Sequence, residues 1–148
     1  MMKYQRFDEL PVWQEAARLY QRVLDLLEEP NLPLPPGFRG QLERVALAVS
    51  NQIAESRDRM TWKEATGYLV NARAAATEVQ SMVAVISQRP KVSRLADPLQ
   101  QIRTLAESCS RQLGAWLTSI EKGPRQSDDP GPVTPAPARQ SAAVGRSA

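Results

Sequence analysis

The chain has 148 residues, of which 19 are Lys or Arg and 16 are Asp or Glu, so its net charge is +3 and its isoelectric point about 9.3. This length suits one domain with a real core, and so small a basic surplus permits nucleic-acid binding without arguing for it. With no histidine and with Cys109 as the only cysteine, the sequence excludes an intramolecular disulfide and lacks the commonest general base and metal ligand.

The first predicted helix begins at Pro11, because proline lacks the N–H that would be unpaired in an opening turn anyway. Apolar residues then recur at helical spacing, and they predict a buried stripe made of Trp13, Ala16, Ala17, Tyr20, Val23, Leu24 and Leu27. We expect this helix to end near Glu29, since the prolines that begin at Pro30 favour a stiff, extended connection.

The second predicted helix starts at about Phe38, and its narrow stripe consists of Leu42, Val45, Ala46, Val49, Ile53 and Ser56. Small residues on such a stripe let helices approach closely, which favours an antiparallel bundle. Thr61 and Glu64 form a capping-box pattern that starts the third helix. Its apolar stripe comprises Ala65, Tyr68, Leu69, Ala72, Ala75, Ala76, Val79, Met82, Val83 and Ile86.

Pro90 ends the third helix, and two starts compete for the fourth. Ser93 is one candidate cap, but Asp97 followed by Pro98 is the better pair, because Pro98 deep in a helix would lose a hydrogen bond. The last stripe contains Leu99, Ile102, Leu105, Ala106, Cys109, Leu113, Trp116, Leu117 and Ile120. On the outer face, Arg103, Glu107 and Arg111 are spaced to support the helix by ion pairs.

The composition changes after Gly123 to Pro, Ala, Ser, Gly and Arg, and such a segment cannot bury enough apolar surface to offset its ordering entropy. The sequence therefore predicts an all-α protein: an antiparallel up-down-up-down four-helix bundle at residues 1–122, followed by a disordered C-terminal tail at 123–148. The N-terminus has no apolar signal region and no run reaches membrane length, so we expect a cytoplasmic protein with no membrane partner.

Catalysis has little support in the sequence. Cys109 lies on an inward stripe without any possible histidine partner, and no glycine-rich phosphate loop follows a strand. Carboxylate metal sites in helix bundles use a Glu-x-x-His spacing that this chain lacks. We therefore predict that the protein is not an enzyme and has no catalytic residue, no cofactor and no metal site.

Basic residues gather at the turn between the second and third helices, where Arg57, Arg59 and Lys63 stand near Trp62. Cations beside an aromatic ring can hold a nucleic-acid strand by phosphate contacts and base stacking. In the alternative interpretation, the turn is simply solvated and Trp62 packs at the end of the bundle or in a subunit contact. The first interpretation makes this turn a nucleic-acid-binding site.

The roles of two further arginines, Arg44 and Arg73, have two interpretations. A guanidinium fits phosphate oxygens in a bidentate manner, so both residues are candidate nucleic-acid ligands. Alternatively, they pair with Glu55 and Glu78 within one protomer or between protomers, because alternating charges on packed helices usually serve that purpose.

Three segments resemble the four-helix-bundle proteins encoded within intervening sequences of bacterial 23S ribosomal RNA genes. The matching residues are Arg44, Ile53-Ala54-Glu55, Ala72-Arg73 and Glu78, preceded by Phe7, Leu10, Val12 and Trp13. The sequence departs from the family pattern at Glu43, Ser50, Gln52, Ser56 and Ala74-Ala75. Glu43 puts a carboxylate where the family has a basic residue, which weakens any function tied to cations on the second helix.

The resemblance implies a homo-oligomer, and a pentameric ring in particular, since members of the family can assemble into five-fold rings. A related bundle is the accessory protein of reverse transcriptases in diversity-generating retroelements. The implied partners are therefore further copies of the chain, RNA or DNA, and a reverse transcriptase. We derive two hypotheses: a non-catalytic oligomeric scaffold that associates with structured RNA or a nucleic-acid enzyme, and a protein-binding adaptor without nucleic-acid contact.

Overall fold

The computed structural model describes residues 6–122. Its elements in chain order are a 3-10 helix at Phe7–Glu9, α1 at Pro11–Leu27, α2 at Pro36–Arg57, α3 at Trp62–Ile86, a second 3-10 helix at Pro90–Leu95, and α4 at Ala96–Lys122. No strand occurs within these residues. The predicted all-α bundle is confirmed, whereas the predicted disorder of residues 123–148 concerns a segment outside the described part of the chain.

The four long helices form a closed ring, because each packs against the next one along the chain and α1 packs against α4. All four contribute to one core, whose fully buried side chains include Leu19, Ile53, Leu69 and Trp116. Burial of such apolar surface is the dominant favourable term in folding. Between residues 6 and 122, no helix combines the length and apolar content needed to cross a membrane.

The start of α3 follows the predicted capping box. The Thr61 side chain accepts a hydrogen bond from the backbone N–H of Glu64 at 3.2 Å, and Thr61 itself has an extended backbone. The Glu64 carboxylate reaches back to the backbone N–H of Met60 at 3.2 Å, one residue before the cap. The Glu64 N–H, one of those that a helix start leaves without an intrahelical partner, is therefore satisfied, whereas the return bond of the box goes to the residue before the cap.

The predicted stripe of α2 is entirely buried, but the stripe of α1 is rotated from the prediction. The buried residues of α1 are Val12, Ala16, Leu19, Val23 and Leu26, so only two of the residues predicted for its stripe, Ala16 and Val23, are fully buried. The helix lies between α2 and α4, and Trp13, Tyr20 and Leu27 cover the edge of the core while remaining partly exposed. The predicted stripe was centred on the wrong residues because it counted large aromatic side chains that lie at the edge of the core.

The prediction that Asp97 caps α4 is wrong, because the helix begins at Ala96 and Asp97 lies in its first turn. The 3-10 helix at Pro90–Leu95 leads directly into α4. Its residues Val92 and Leu95 are buried in the core, and this burial holds the segment in helical form before Asp97 is reached. A carboxylate in the first turn still interacts favourably with the positive end of the helix.

The proline-rich connection between α1 and α2 is anchored on both sides. Leu34 is buried in the core, and Asn31 adopts a left-handed backbone with a φ of 54°, which asparagine tolerates better than most residues. From the other connection at this end of the bundle, Arg94 donates to the carbonyl oxygens of Pro30 at 3.4 Å and Asn31 at 3.2 Å. Arg94 thus joins the two connections.

Candidate interaction surface

Arg59, at the turn between α2 and α3, is held by its own neighbours. Its guanidinium contacts the Glu55 carboxylate at 3.3 Å and donates to the Glu55 carbonyl oxygen at 3.2 Å. The same guanidinium lies 4.9 Å from the centre of the Tyr68 ring and donates to the Tyr68 hydroxyl at 3.4 Å. A phosphate that bound Arg59 would therefore compete with an existing carboxylate and aromatic partner.

Other charges at this turn are balanced. Between residues 55 and 64, the chain carries three cations and three carboxylates, namely Arg57, Arg59, Lys63, Glu55, Asp58 and Glu64. Lys63 is exposed and makes no ion pair with any residue in the range 6–122, whereas Arg57 is partly buried. Trp62 is partly buried and packs against the core. The structure brings the four predicted turn residues together, but Lys63 is the cation most open to a ligand.

Arg44 and Glu78 are connected across the α2–α3 interface through a third residue. Arg44 donates to the Gln41 side-chain carbonyl at 3.0 Å, and the Gln41 amide donates to the Glu78 carboxylate at 2.9 Å. Because Gln41 stands between them, Arg44 and Glu78 keep their charges at the surface rather than forming a direct ion pair.

Arg73 points to a different part of the molecule. A Cβ atom added to Gly114 of α4 would lie 3.1 Å from the central carbon of the Arg73 guanidinium, so this group rests against the α4 backbone. Arg44 lies instead at the interface of α2 with α3. The structure therefore does not bring Arg44 and Arg73 into one site, although both remain exposed.

A shallow groove of about 360 Å³ runs along the outer side of the α2–α3 interface, and we call it the α2–α3 groove. It is lined by Gln41, Arg44, Val45, Ala48, Asn71, Ala74, Ala75 and Glu78. Two exposed apolar residues border it: Leu47 follows Arg44 by three positions, and Val70 precedes Ala74 by four. The groove therefore combines a floor of small apolar residues with a rim that carries both signs of charge.

A polar cluster that the sequence analysis did not identify joins α1 to α4. The Glu15 carboxylate accepts hydrogen bonds from the Ser108 hydroxyl and from Arg18, the latter at 2.7 Å, while Gln112 donates to Ser108 at 3.0 Å. Burial alone would raise the pKa of Glu15. The hydrogen bonds from Ser108 and Arg18 and the charges of Arg18 and Arg111 outweigh burial and hold that pKa below its usual value.

We expect Glu15→Gln to destabilise the protein at neutral pH and to make its stability less sensitive to a fall in pH. Because folding lowers the Glu15 pKa, the ionised carboxylate stabilises the fold above the unfolded value of about 4.5, and this stabilisation is lost as the pH falls below it. Urea unfolding of the wild type and of the variant at neutral and acidic pH measures the difference between their free energies of unfolding, which should become smaller in acid. Glu43→Gln, at an exposed site, is the control, and an equal loss of stability there would contradict the prediction.

Cys109 is fully buried beside this cluster. Burial raises the pKa of its thiol to about 12, and the nearby Glu15 carboxylate contributes to the increase. Such a thiol is almost never ionised at neutral pH and is a poor nucleophile. Within residues 6–122, no three Cys, Asp or Glu side chains gather closely enough to hold a metal ion.

A second feature missed at the sequence level is the basic connection between α3 and α4. No Asp or Glu occurs from residue 79 to residue 96, whereas Arg89, Lys91 and Arg94 are all present and exposed. This imbalance is readable from the chain itself. Unlike the turn near Trp62, this connection carries no aromatic residue beside its cations.

One known protein family matches most of this sequence. The profile of the family described as 23S rRNA-intervening sequence protein matches residues 8–115, which is most of the chain. The chain belongs to this family. Neither a curated protein nor a solved structure gives a significant match.

Residues by which this 23S rRNA-intervening sequence protein resembles its family divide between the core and the surface. Ile53 and Ala72 are fully buried, so their role is packing. Glu55 binds Arg59, while Arg44 and Glu78 line the α2–α3 groove. Among the matching residues that are exposed, Arg44 and Glu78 therefore lie at the α2–α3 groove, whereas Arg73 rests against α4.

Proposed function

We propose that this member of the 23S rRNA-intervening sequence protein family is a non-catalytic, self-associating scaffold that holds nucleic acid. The observation that carries the proposal is the α2–α3 groove, an exposed surface with an apolar floor and a charged rim. Exposed apolar surface rimmed by polar residues is typical of protein–protein contact sites.

The groove suits a second copy of the same chain. Its floor contains Ala48, Ala74 and Ala75, and such small residues let another helix approach closely. Arg44 and Glu78 lie at its rim, so a second copy brings the opposite charge for each of them. A contact between identical subunits is favoured when one surface is complementary to itself or to a neighbouring face of the same molecule.

Association would also strengthen a weak electrostatic field. Several cations of one subunit make no ion pair among residues 6–122, and Lys63 and Arg73 are two of these that are exposed. A ring or stack of subunits repeats each of them, and repeated cations attract a polyanion far more strongly than one copy does. Structured RNA is the proposed ligand. Because the sequence also resembles the accessory proteins of retroelements, we extend the proposal to a reverse transcriptase bound to the same nucleic acid.

Sedimentation equilibrium tests the self-association. The wild-type protein should have a mass that is a multiple of 16.4 kDa, and the double substitution Val70→Glu with Ala74→Glu should reduce it to one chain. Both residues are exposed, so helicity should be unchanged. Val85→Glu is the matched control, because Val85 is an exposed apolar residue of the same helix outside the groove. A monomeric wild type, or an equal effect of Val85→Glu, would refute the proposed surface.

Salt dependence tests the nucleic-acid part. Binding of the wild-type protein to a structured RNA should weaken steeply between low and moderate salt, because phosphate contacts release counterions. Lys63→Ala should reduce the slope of this dependence. Retention of RNA that is insensitive to salt, or no retention by a protein that still self-associates, would instead favour the protein-binding adaptor.

A further inference from the structure

A cavity of about 170 Å³ lies at the end of the bundle opposite the α2–α3 turn. It is enclosed by the end of α3, the 3-10 helix at Pro90–Leu95 and the first two turns of α4, and its lining residues are Val83, Ser87, Val92, Ser93, Ala96, Leu99, Gln100 and Arg103. Pockets for drug-sized ligands measure roughly 300–1,000 Å³. The cavity is therefore suited to a small body such as one nucleobase.

The lining of this cavity has an apolar and a polar part. Val83, Val92 and Leu99 line the apolar part of the cavity with the small exposed portions of otherwise buried side chains. Serine hydroxyls, the Gln100 amide and the Arg103 guanidinium supply hydrogen-bonding groups. An apolar surface with a few convergent polar groups is the usual composition of a small-molecule site.

Two of the polar residues retain hydrogen-bonding capacity. Arg103 binds the Glu107 carboxylate through Nε at 3.3 Å, and none of its other N–H groups binds an acceptor in the described part of the chain. Gln100 donates through its amide nitrogen to Thr104 at 3.2 Å, and its carbonyl oxygen accepts no bond from any residue between 6 and 122. A guanidinium and a side-chain amide are the groups that recognise a phosphate and an adenine edge, respectively.

The surroundings of the cavity favour an anion. Arg89 and Lys91 lie in the turn between the lining residues Ser87 and Val92, and both are exposed without an ion-pair partner among the described residues. No carboxylate occurs in the chain from residue 79 to residue 96; Asp97 and Glu107 are the next ones along α4. The cavity therefore faces a stretch of chain whose formal charge is only positive.

We propose that this cavity binds one adenine nucleotide unit, with the base against Val83, Val92 and Leu99 and the phosphate at Arg103. This inference rests on the proposed nucleic-acid-binding role and assigns it a second contact, separate from the α2–α3 turn. A strand that follows the basic connection places its phosphates near Arg89 and Lys91 while one base occupies the cavity.

Nuclear magnetic resonance titration of the full chain with adenosine 5′-monophosphate tests the proposal. The nucleotide should shift the amide signals of Ser87, Val92, Ser93 and Gln100, and Arg103→Gln should weaken binding by about tenfold, because it removes a charged hydrogen-bond donor. Arg6→Gln is the matched control: it breaks a comparable surface ion pair, that of Arg6 with Asp8 at 3.1 Å, just before the start of α1 at the opposite end of the bundle from the cavity. It should leave binding unchanged.

Separate titrations with adenosine and with inorganic phosphate distinguish the two parts of the ligand, and each alone should bind more weakly than the nucleotide. Equal binding of phosphate alone would overturn the base pocket, and no shift at the four amides, or equal loss in the two arginine variants, would overturn the site. Failure of the proposed function is distinguishable, because it appears as a monomeric wild type or as absent RNA binding, whereas the nucleotide titration reports on residues of a single subunit.

Discussion

Leu69→Ala is expected to lower the free energy of unfolding by about 2–5 kcal/mol. Leu69 is completely buried in α3, and truncation removes its transfer free energy and leaves a cavity that neighbouring side chains fill only in part. Small domains have roughly 5–15 kcal/mol of total stability, so the loss is a large fraction of it. Urea denaturation followed by circular dichroism measures the change, at one protein concentration because association adds to apparent stability.

An exposed valine of the same helix provides the control for this experiment. Val85 is 61% exposed and lies outside the α2–α3 groove, so Val85→Ala should change stability by no more than about 0.5 kcal/mol. The comparison tests which side of α3 faces the core. Comparable losses in the two variants would mean that α3 is buried on both sides.

Ala72→Leu is expected to cost about 1–3 kcal/mol, because a larger side chain must be accommodated in a close-packed core. Ala72 is fully buried in α3, in the segment that resembles the family pattern. Ala115→Leu, at an exposed position of α4 outside the α2–α3 groove, should leave the melting temperature nearly unchanged. Thermal unfolding of both variants measures the difference. If both substitutions are tolerated equally, this part of the pattern does not reflect core packing.

Periodicity in the sequence predicted α2, α3 and α4 well because each has one narrow apolar stripe. Six of the nine residues predicted for the α4 stripe are buried, and the other three, Leu105, Leu117 and Ile120, pack at its edge. In α1, Trp13 and Tyr20 are apolar enough to count toward a stripe, yet their size and polar atoms suit them to the edge of the core. The start of α4 was mispredicted because burial of Val92 and Leu95 outweighed the local capping preference.

The candidate site was less predictable than the fold. Charge and spacing identified the cations at the turn, and the pairing of Arg59 with Glu55 four residues earlier is also readable from the chain. Contacts between helices are not, since the Gln41–Glu78 bond and the position of Arg73 against Gly114 depend on how far each helix slides along its neighbour. One sequence does not specify that register, so Arg44 and Arg73 could not be assigned to separate faces beforehand.

Because four helices alternate in direction, the bundle begins and ends on the side opposite the cavity. Pro11 and Lys122 lie at the same end as the α2–α3 turn, whereas the two connections joined by Arg94 lie at the other. The 27 residues of α4 rise about 1.5 Å each, so its two ends are about 40 Å apart. A fluorescent label attached at Pro11 or at Lys122 is therefore remote from Arg103, and can report assembly without obstructing nucleotide entry.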